Sequence, residues 1–201
     1  MLDDSKWFLL EQSVPDLCAD RIDYTLREVH RYFDVALEEI HAFISQLVVN
    51  EGKVCLRDLH SGEWFVRQYR KIVIDFFYDP LNVFSHEIVG KVLSYAIEAG
   101  EITLFDLMQT DTEVWEKIQA ISDPEIVDFL TLLTTPIIFE RVDENGPYDG
   151  FQRKKVRYVD PLVLNQERYV RVSECSVEAK RIIEATLVDG NKGIYFKYRN
   201  N

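Results

Sequence analysis

A stripe of apolar side chains at helical spacing follows Pro15-Asp16 and most constrains how this chain folds. Apolar residues recur there every three or four positions, which is the spacing of one face of an α-helix. Asp16 stands where a side chain can accept hydrogen bonds from the first free backbone amides, so it is predicted to cap the helix. We therefore expect a long amphipathic helix, followed by a second one over roughly 34–47. The stripe consists of Cys18, Ile22, Leu26, Val29 and Phe33.

Further signals divide the chain into a helical body and a smaller mixed tail. Helices are predicted over roughly 61–78 and 83–98, and two more start at Thr112 and at Asp123-Pro124. Short strands are predicted on both sides of a turn at 50–52, and at 137–142, 151–159 and 194–198, with a helix over about 176–187. The predicted fold is therefore mainly α, with a helical body at 1–136 and a small α+β segment at 137–201.

The composition is typical of a folded protein rather than of a disordered or membrane-spanning chain. Of the 201 residues, 47% are hydrophobic, which is enough for a substantial core. No apolar run approaches the ~18 residues that a membrane span needs, and the first residues lack the pattern of a signal peptide. Three widely spaced cysteines, Cys18, Cys55 and Cys175, argue against a disulfide framework. We expect a cytoplasmic protein with buried thiols and no membrane contact.

Charge is distributed unevenly along the chain. The formal net charge of −12 disfavours general nucleic-acid binding, which needs a basic surface. Residues 1–150 hold 12 basic against 29 acidic side chains, whereas residues 151–201 hold 11 against 6. The basic run at 153–157 has two interpretations. It is either a solvated edge strand that charge protects from pairing, or a contact for a polyanion such as a nucleotide or for the acidic body of another subunit.

The most specific part of the sequence lies within the first predicted helix. At about 100° per residue, its polar side chains fall on two neighbouring faces and leave only a narrow apolar arc. From spacing alone, such faces are typical of a solvated helix with ion pairs. The first face carries Asp20, Asp23, Arg27 and His30, and the second carries Arg21, Tyr24 and Glu28.

The run Ala19-Asp20-Arg21-Ile22-Asp23-Tyr24, continued by Leu26-Arg27-Glu28, resembles the last motif of HD-domain metal-dependent phosphohydrolases. The resemblance is greatest to the branch related to deoxynucleoside triphosphate triphosphohydrolases, and it implies part of an HD-type helical bundle. Asp20 matches the final metal-ligating aspartate, whose hard oxygen suits Mg²⁺, Mn²⁺ or iron.

The resemblance also implies roles for four neighbouring residues. Arg21 and Asp23 match residues of the catalytic motif, and Arg21 matches the cation that contacts substrate phosphate. Tyr24 and Glu28 match substrate-binding positions, although Glu28 stands where the family usually has Asp. The expected substrate is a nucleotide or another phosphoester.

The histidines that complete such a site are missing from the expected place. The family supplies one His and then an adjacent His-Asp pair before the matched aspartate, but this chain has no His-Asp dipeptide. We therefore expect the C-terminal part of a phosphohydrolase that is inactive and binds no metal on its own, and that forms a homo-oligomer. The alternative is a non-catalytic module for oligomerisation or nucleotide sensing. All four histidines follow the motif, at His30, His41, His60 and His86.

Overall fold

The computed structural model describes residues 7–200 of the chain. The helix at Leu59–Arg70 runs directly into a π-helical segment, Lys71–Phe76, and a 3₁₀ turn covers Asp106–Met108. Across the described range, no helix has the length and apolar character needed to cross a membrane. The α-helices are α1 Ala19–Phe33, α2 Leu37–Ser45, α3 Leu59–Arg70, α4 Pro80–Glu98, α5 Asp111–Gln119, α6 Pro124–Thr134, α7 Val172–Cys175 and α8 Val177–Lys192.

The strands form two sheets, one of four strands in the order β1-β2-β5-β6 and one of three in the order β3-β7-β4. Strands β1 and β2 form an antiparallel hairpin with Leu47 opposite Leu56, whereas β2 and β5 are parallel. The remaining neighbours, β5-β6, β3-β7 and β4-β7, are antiparallel. The strands are β1 Leu47–Asn50, β2 Lys53–Leu56, β3 Ile137–Arg141, β4 Gly150–Gln152, β5 Leu162–Asn165, β6 Arg168–Arg171 and β7 Ile194–Asn200.

The prediction of a mainly α fold with a small β-containing tail is wrong. The chain has a mixed α+β fold, because its larger sheet joins a hairpin of the predicted helical body to two strands of the tail. Strands β5 and β6 have only four residues each, and β5 pairs with the distant β2, so local patterns did not indicate them. The strand predicted over 151–159 is also shorter, since β4 covers only Gly150–Gln152.

Contacts divide the chain into two compact units. The first contains the residues up to Tyr78 and Arg153–Gly193, and the second contains Asp79–Gln152 and the residues from Ile194 onward. The boundary between residues 136 and 137 that the sequence suggested stays a prediction. Helix α1 and the basic run at 153–157 both lie in the first unit.

The core of the first unit contains α1, α3 and the larger sheet. The ring of Phe65 on α3 stacks on that of Phe43 at 4.8 Å between centroids, and both side chains are buried. Gly62 lets α3 approach the sheet closely, since a Cβ there would lie 2.6 Å from Cγ1 of Val163. The buried apolar side chains of α1 are Ile22, Leu26 and Val29.

In the second unit, the predicted helix start at Asp123-Pro124 is confirmed, whereas the helix predicted over 83–98 begins at Pro80. Asp79 caps α4 and Asp123 caps α6, each through a side-chain hydrogen bond, and a proline follows each cap. In the smaller sheet, the rings of Phe139 and Phe196 meet edge to face at 5.9 Å. Gly150 leaves room for the Phe196 ring, because a Cβ at position 150 would lie only 2.3 Å from Cζ of Phe196.

Candidate functional site

The segment before α1 is attached to the larger sheet. Leu17 forms a backbone bridge with Val54, and the carboxylate of Asp16 pairs with Lys53 Nζ at 2.9 Å and with Arg171 Nη1 at 2.5 Å. Burial alone raises the pKa of Asp16, but the hydrogen bonds and charges of Lys53 and Arg171 outweigh it, so this pKa lies below its ordinary value. The prediction that Asp16 caps α1 is wrong, because Cys18 occupies the cap position without a side-chain bond.

The first predicted polar face of α1 faces solvent. Asp20, Asp23, Arg27 and His30 are all exposed, as the helical spacing indicated. Asp23 and Arg27 form an ion pair one turn apart, with 3.0 Å between Oδ2 and Nη2. The carboxylate of Asp20 is therefore accessible to a ligand, which the predicted metal-binding role requires.

Arg21 on the second face is buried, with 8% of its surface exposed. Its Nη1 donates to the carbonyl oxygen of Asp16, and its Nη2 donates to that of Gln12 at 3.0 Å. The same Nη2 lies 3.4 Å from Oε1 of Glu11. Both terminal nitrogens of the guanidinium thus hold the segment that precedes α1. Phosphate contact by Arg21 stays a prediction, and any phosphate would compete with these acceptors.

Tyr24 joins α1 to the end of α3. Its hydroxyl donates to the hydroxyl of Tyr69 at 2.9 Å, and its ring lies 6.3 Å from that of Phe77. Tyr69 is 1% exposed, and burial, followed by the interaction with Tyr24, raises its pKa well above the ordinary value. Tyr69 is therefore a neutral hydrogen-bonding partner that orients Tyr24. Glu28, one turn after Tyr24, is half-buried.

The π-helical segment brings aromatic rings against α1. Phe76 stacks on Tyr32 at 4.4 Å between ring centroids and meets Phe33 edge to face at 6.3 Å. A π-helix carries an extra residue within a turn, and such segments are frequent at functional sites. Sequence patterns predicted one continuous helix over 61–78 and did not indicate Tyr69 or Phe77 as neighbours of the motif.

The described residues do not fit a complete metal site. Among residues 7–200, no three His, Cys, Asp or Glu side chains are grouped so that they could hold a metal ion. His30, the histidine nearest to the motif, has its Nδ1 2.9 Å from the carbonyl oxygen of Val35. The metal-binding role of Asp20 stays a prediction.

Comparison with known proteins adds two relatives, while no protein-family model matches the chain. The chain is 37% identical over 195 residues to the uncharacterized protein YdhJ of Bacillus subtilis, an alignment that covers 97% of this chain and 59% of that protein. It is 28% identical over 162 residues to the metal-dependent phosphohydrolase cns2 of Cordyceps militaris, covering 77% of this chain and 46% of that protein. The chain thus spans about half the length of the curated relatives it matches.

Proposed function

We propose that this chain is the C-terminal part of an HD-type metal-dependent phosphohydrolase that acts on a nucleotide or another phosphoester. The similarity to a relative named as a metal-dependent phosphohydrolase supports the reaction class. The resemblance of residues 19–28 to the motif of deoxynucleoside triphosphate triphosphohydrolases supports a nucleotide substrate. A divalent cation, Mg²⁺, Mn²⁺ or iron, would polarise the phosphoester and activate water in the complete site.

The observation that carries this proposal is the exposed carboxylate of Asp20 on α1. It stands one turn before Tyr24, and residues one turn apart are neighbours on a helix surface. Asp20 supplies one oxygen ligand, and Tyr24 and Glu28 line the side on which a substrate would lie. Asp23 is proposed to act in the same catalytic motif, although its carboxylate pairs with Arg27.

The full-length Bacillus relative provides the positive test. It should release phosphate or triphosphate from at least one member of a panel of deoxynucleoside triphosphates and other phosphoesters, in the presence of Mg²⁺, Mn²⁺ or Fe²⁺. Replacing the residue that aligns with Asp20 by Ala should abolish this turnover, while replacing the one that aligns with the exposed Lys91 of α4 by Gln should preserve it. Absence of metal-dependent turnover across the whole panel contradicts the proposal.

The 201-residue chain by itself should show negligible turnover on the same panel. One carboxylate cannot hold and activate a metal-bound water, because such a site needs about four protein ligands. Turnover near 1 s⁻¹, within the usual range of enzymes, that disappears in Asp20→Ala would show that the chain is a complete enzyme.

A second candidate is a non-catalytic module for oligomerisation or nucleotide sensing. It is favoured by the burial of Arg21, whose terminal nitrogens bind protein acceptors, and by several large apolar side chains at the surface of the first unit. A homo-oligomer that persists in light scattering at micromolar concentration, together with an inactive full-length relative, would support this candidate. The exposed apolar side chains include Trp7, Leu10, Leu37 and Ile44.

A further inference from the structure

A cavity of about 290 Å³ lies between α2 and the start of α3, within the first unit. Small-molecule sites in proteins have volumes of ~300–1,000 Å³, so this space suits a small ligand or one end of a longer one. None of the described residues that line the cavity belongs to α1, which carries Asp20 and the rest of the motif. The chemistry of the cavity is therefore independent of the proposed function.

Buried aromatic rings form the apolar part of the cavity wall. Phe43 of α2 stacks on Trp64 of α3 at 5.2 Å between ring centroids, and on Phe65 at 4.8 Å. Trp64 is 9% exposed and Phe43 is 3% exposed, so neither ring can move without disturbing the core. The indole is also fixed at its polar edge, because Nε1 of Trp64 donates to Oε2 of Glu39 at 3.2 Å. This part of the wall is thus preformed.

Two carboxylates, those of Glu39 and Asp58, line the same cavity, whereas no Lys or Arg of the described residues does so. Asp58 caps α3, with Oδ1 accepting from the backbone amide of Ser61 at 2.8 Å and Oδ2 accepting from the Ser61 hydroxyl at 3.0 Å. A carboxylate can accept about four hydrogen bonds, so both groups keep acceptor capacity. Along residues 7–200, neither Glu39 nor Asp58 forms an ion pair with a cation of the protein. The negative charge of the cavity is therefore available to a bound cation.

We propose that this cavity binds a small organic cation, whose ammonium or guanidinium group donates to Glu39 and Asp58 beside the ring of Trp64. Charge-assisted hydrogen bonds to carboxylates are strong, and an indole ring attracts cations better than the other aromatic side chains do. A bare metal ion fits less well, because no three His, Cys, Asp or Glu side chains among the described residues are grouped to hold one. The cation is either free in solution, as in an amine, or part of an Arg or Lys side chain, and the two sources share this chemistry.

Binding is measured by calorimetry on the 201-residue chain, with agmatine as the free cation, N-acetylargininamide as the side-chain analogue and N-acetylglutamate as the anionic counterpart. Both cations should bind, and N-acetylglutamate should not. Glu39→Gln and Asp58→Asn should each lower the affinity for agmatine about tenfold, which is the effect of losing one charge-assisted hydrogen bond. Asn is as good a helix cap as Asp, so Asp58→Asn removes the charge and keeps the start of α3.

The matched control is Glu63→Gln, which removes the same charge from α3 at the residue before Trp64. Glu63 does not line the cavity, so the affinity for agmatine should change less than about twofold, as expected for a charge screened by solvent and salt. The folding of each variant is checked by circular dichroism. Asp58→Asn keeps the test valid if Glu39→Gln, which also loses the charged partner of Trp64, lowers thermal stability.

Three outcomes overturn the inference: agmatine fails to bind the wild-type chain at millimolar concentration, Glu63→Gln weakens binding as much as Glu39→Gln does, or N-acetylglutamate binds as tightly as agmatine. Two others support it and identify the source of the cation. Equal affinities for N-acetylargininamide and agmatine indicate that the cavity accepts an Arg side chain of a protein. Tighter binding of agmatine, which carries a second cationic group, indicates a free amine.

Discussion

Replacing Arg21 by Gln separates a structural role of this residue from a role in phosphate binding. The side chain is 9% exposed, and its guanidinium reaches three acceptors in the segment that precedes α1. Gln is shorter and neutral, so it cannot reach the carbonyl oxygens of Asp16 and Gln12 together. If Arg21 mainly holds this segment, the variant loses folding stability whether or not a ligand is present.

The expected loss follows from the bonds that are removed. Hydrogen bonds to a charged group contribute about 1.5–3 kcal/mol each. The contact with Glu11 at 3.4 Å is long and contributes less than the bonds to the two carbonyl oxygens. Since bonds that share one side chain are not additive, we expect a loss of about 3 kcal/mol, which lowers Tm by about 6–12 °C for a protein of this size.

Arg27→Gln is the matched control, because it removes the same charge from the same helix. Arg27 is 69% exposed, and its ion pair with Asp23 is worth about 0.3–0.5 kcal/mol, so Tm should fall by less than about 2 °C. Both variants are compared by thermal unfolding followed by circular dichroism, and by calorimetry with tripolyphosphate. A Tm for Arg21→Gln that matches the control, combined with lost phosphate binding, would refute the structural role and favour the motif's original assignment.

Two further predictions test the larger sheet and its attachment to α1. Gly62→Ala should lower the free energy of unfolding, measured in urea, by about 1–3 kcal/mol, because the added Cβ would clash with Val163. The control Gly90→Ala, at a position on α4 with open space around it, should raise this free energy by about 0.5–1 kcal/mol. Equal effects of the two substitutions would contradict the close packing at Gly62. Because the pKa of Asp16 is lowered in the folded state, its ion pairs stabilise the protein above the ordinary carboxyl value and are lost as pH falls through the lowered pKa. Asp16→Asn should therefore cost about 2 kcal/mol at about pH 7 and much less at about pH 2.5, and a constant difference between the two pH values would show that the charge of Asp16 is irrelevant.

Helices with clear local signals were predicted correctly from the sequence. The helix start at Asp123-Pro124, the hairpin around residues 50–52 and the exposed face with Asp20 and Asp23 are confirmed. Each depends on interactions within a few residues, where side-chain type and spacing determine the geometry. The cap predicted at Asp16 is wrong for a different reason. The carboxylate of Asp16 forms ion pairs with Lys53 and Arg171, which are distant in the sequence.

The sequence by itself determined that Asp20 and Asp23 share an exposed helical face and that this chain has no His-Asp pair. Only the tertiary structure decided that β5 pairs with β2, that Arg21 turns inward, and that Lys154 donates to the carbonyl oxygen of Phe77. The bond between Tyr24 and Tyr69 spans 45 positions and that between Lys154 and Phe77 spans 77. Helical periodicity places a side chain on a face of its own helix, but the group that it meets depends on how distant segments pack to bury apolar surface.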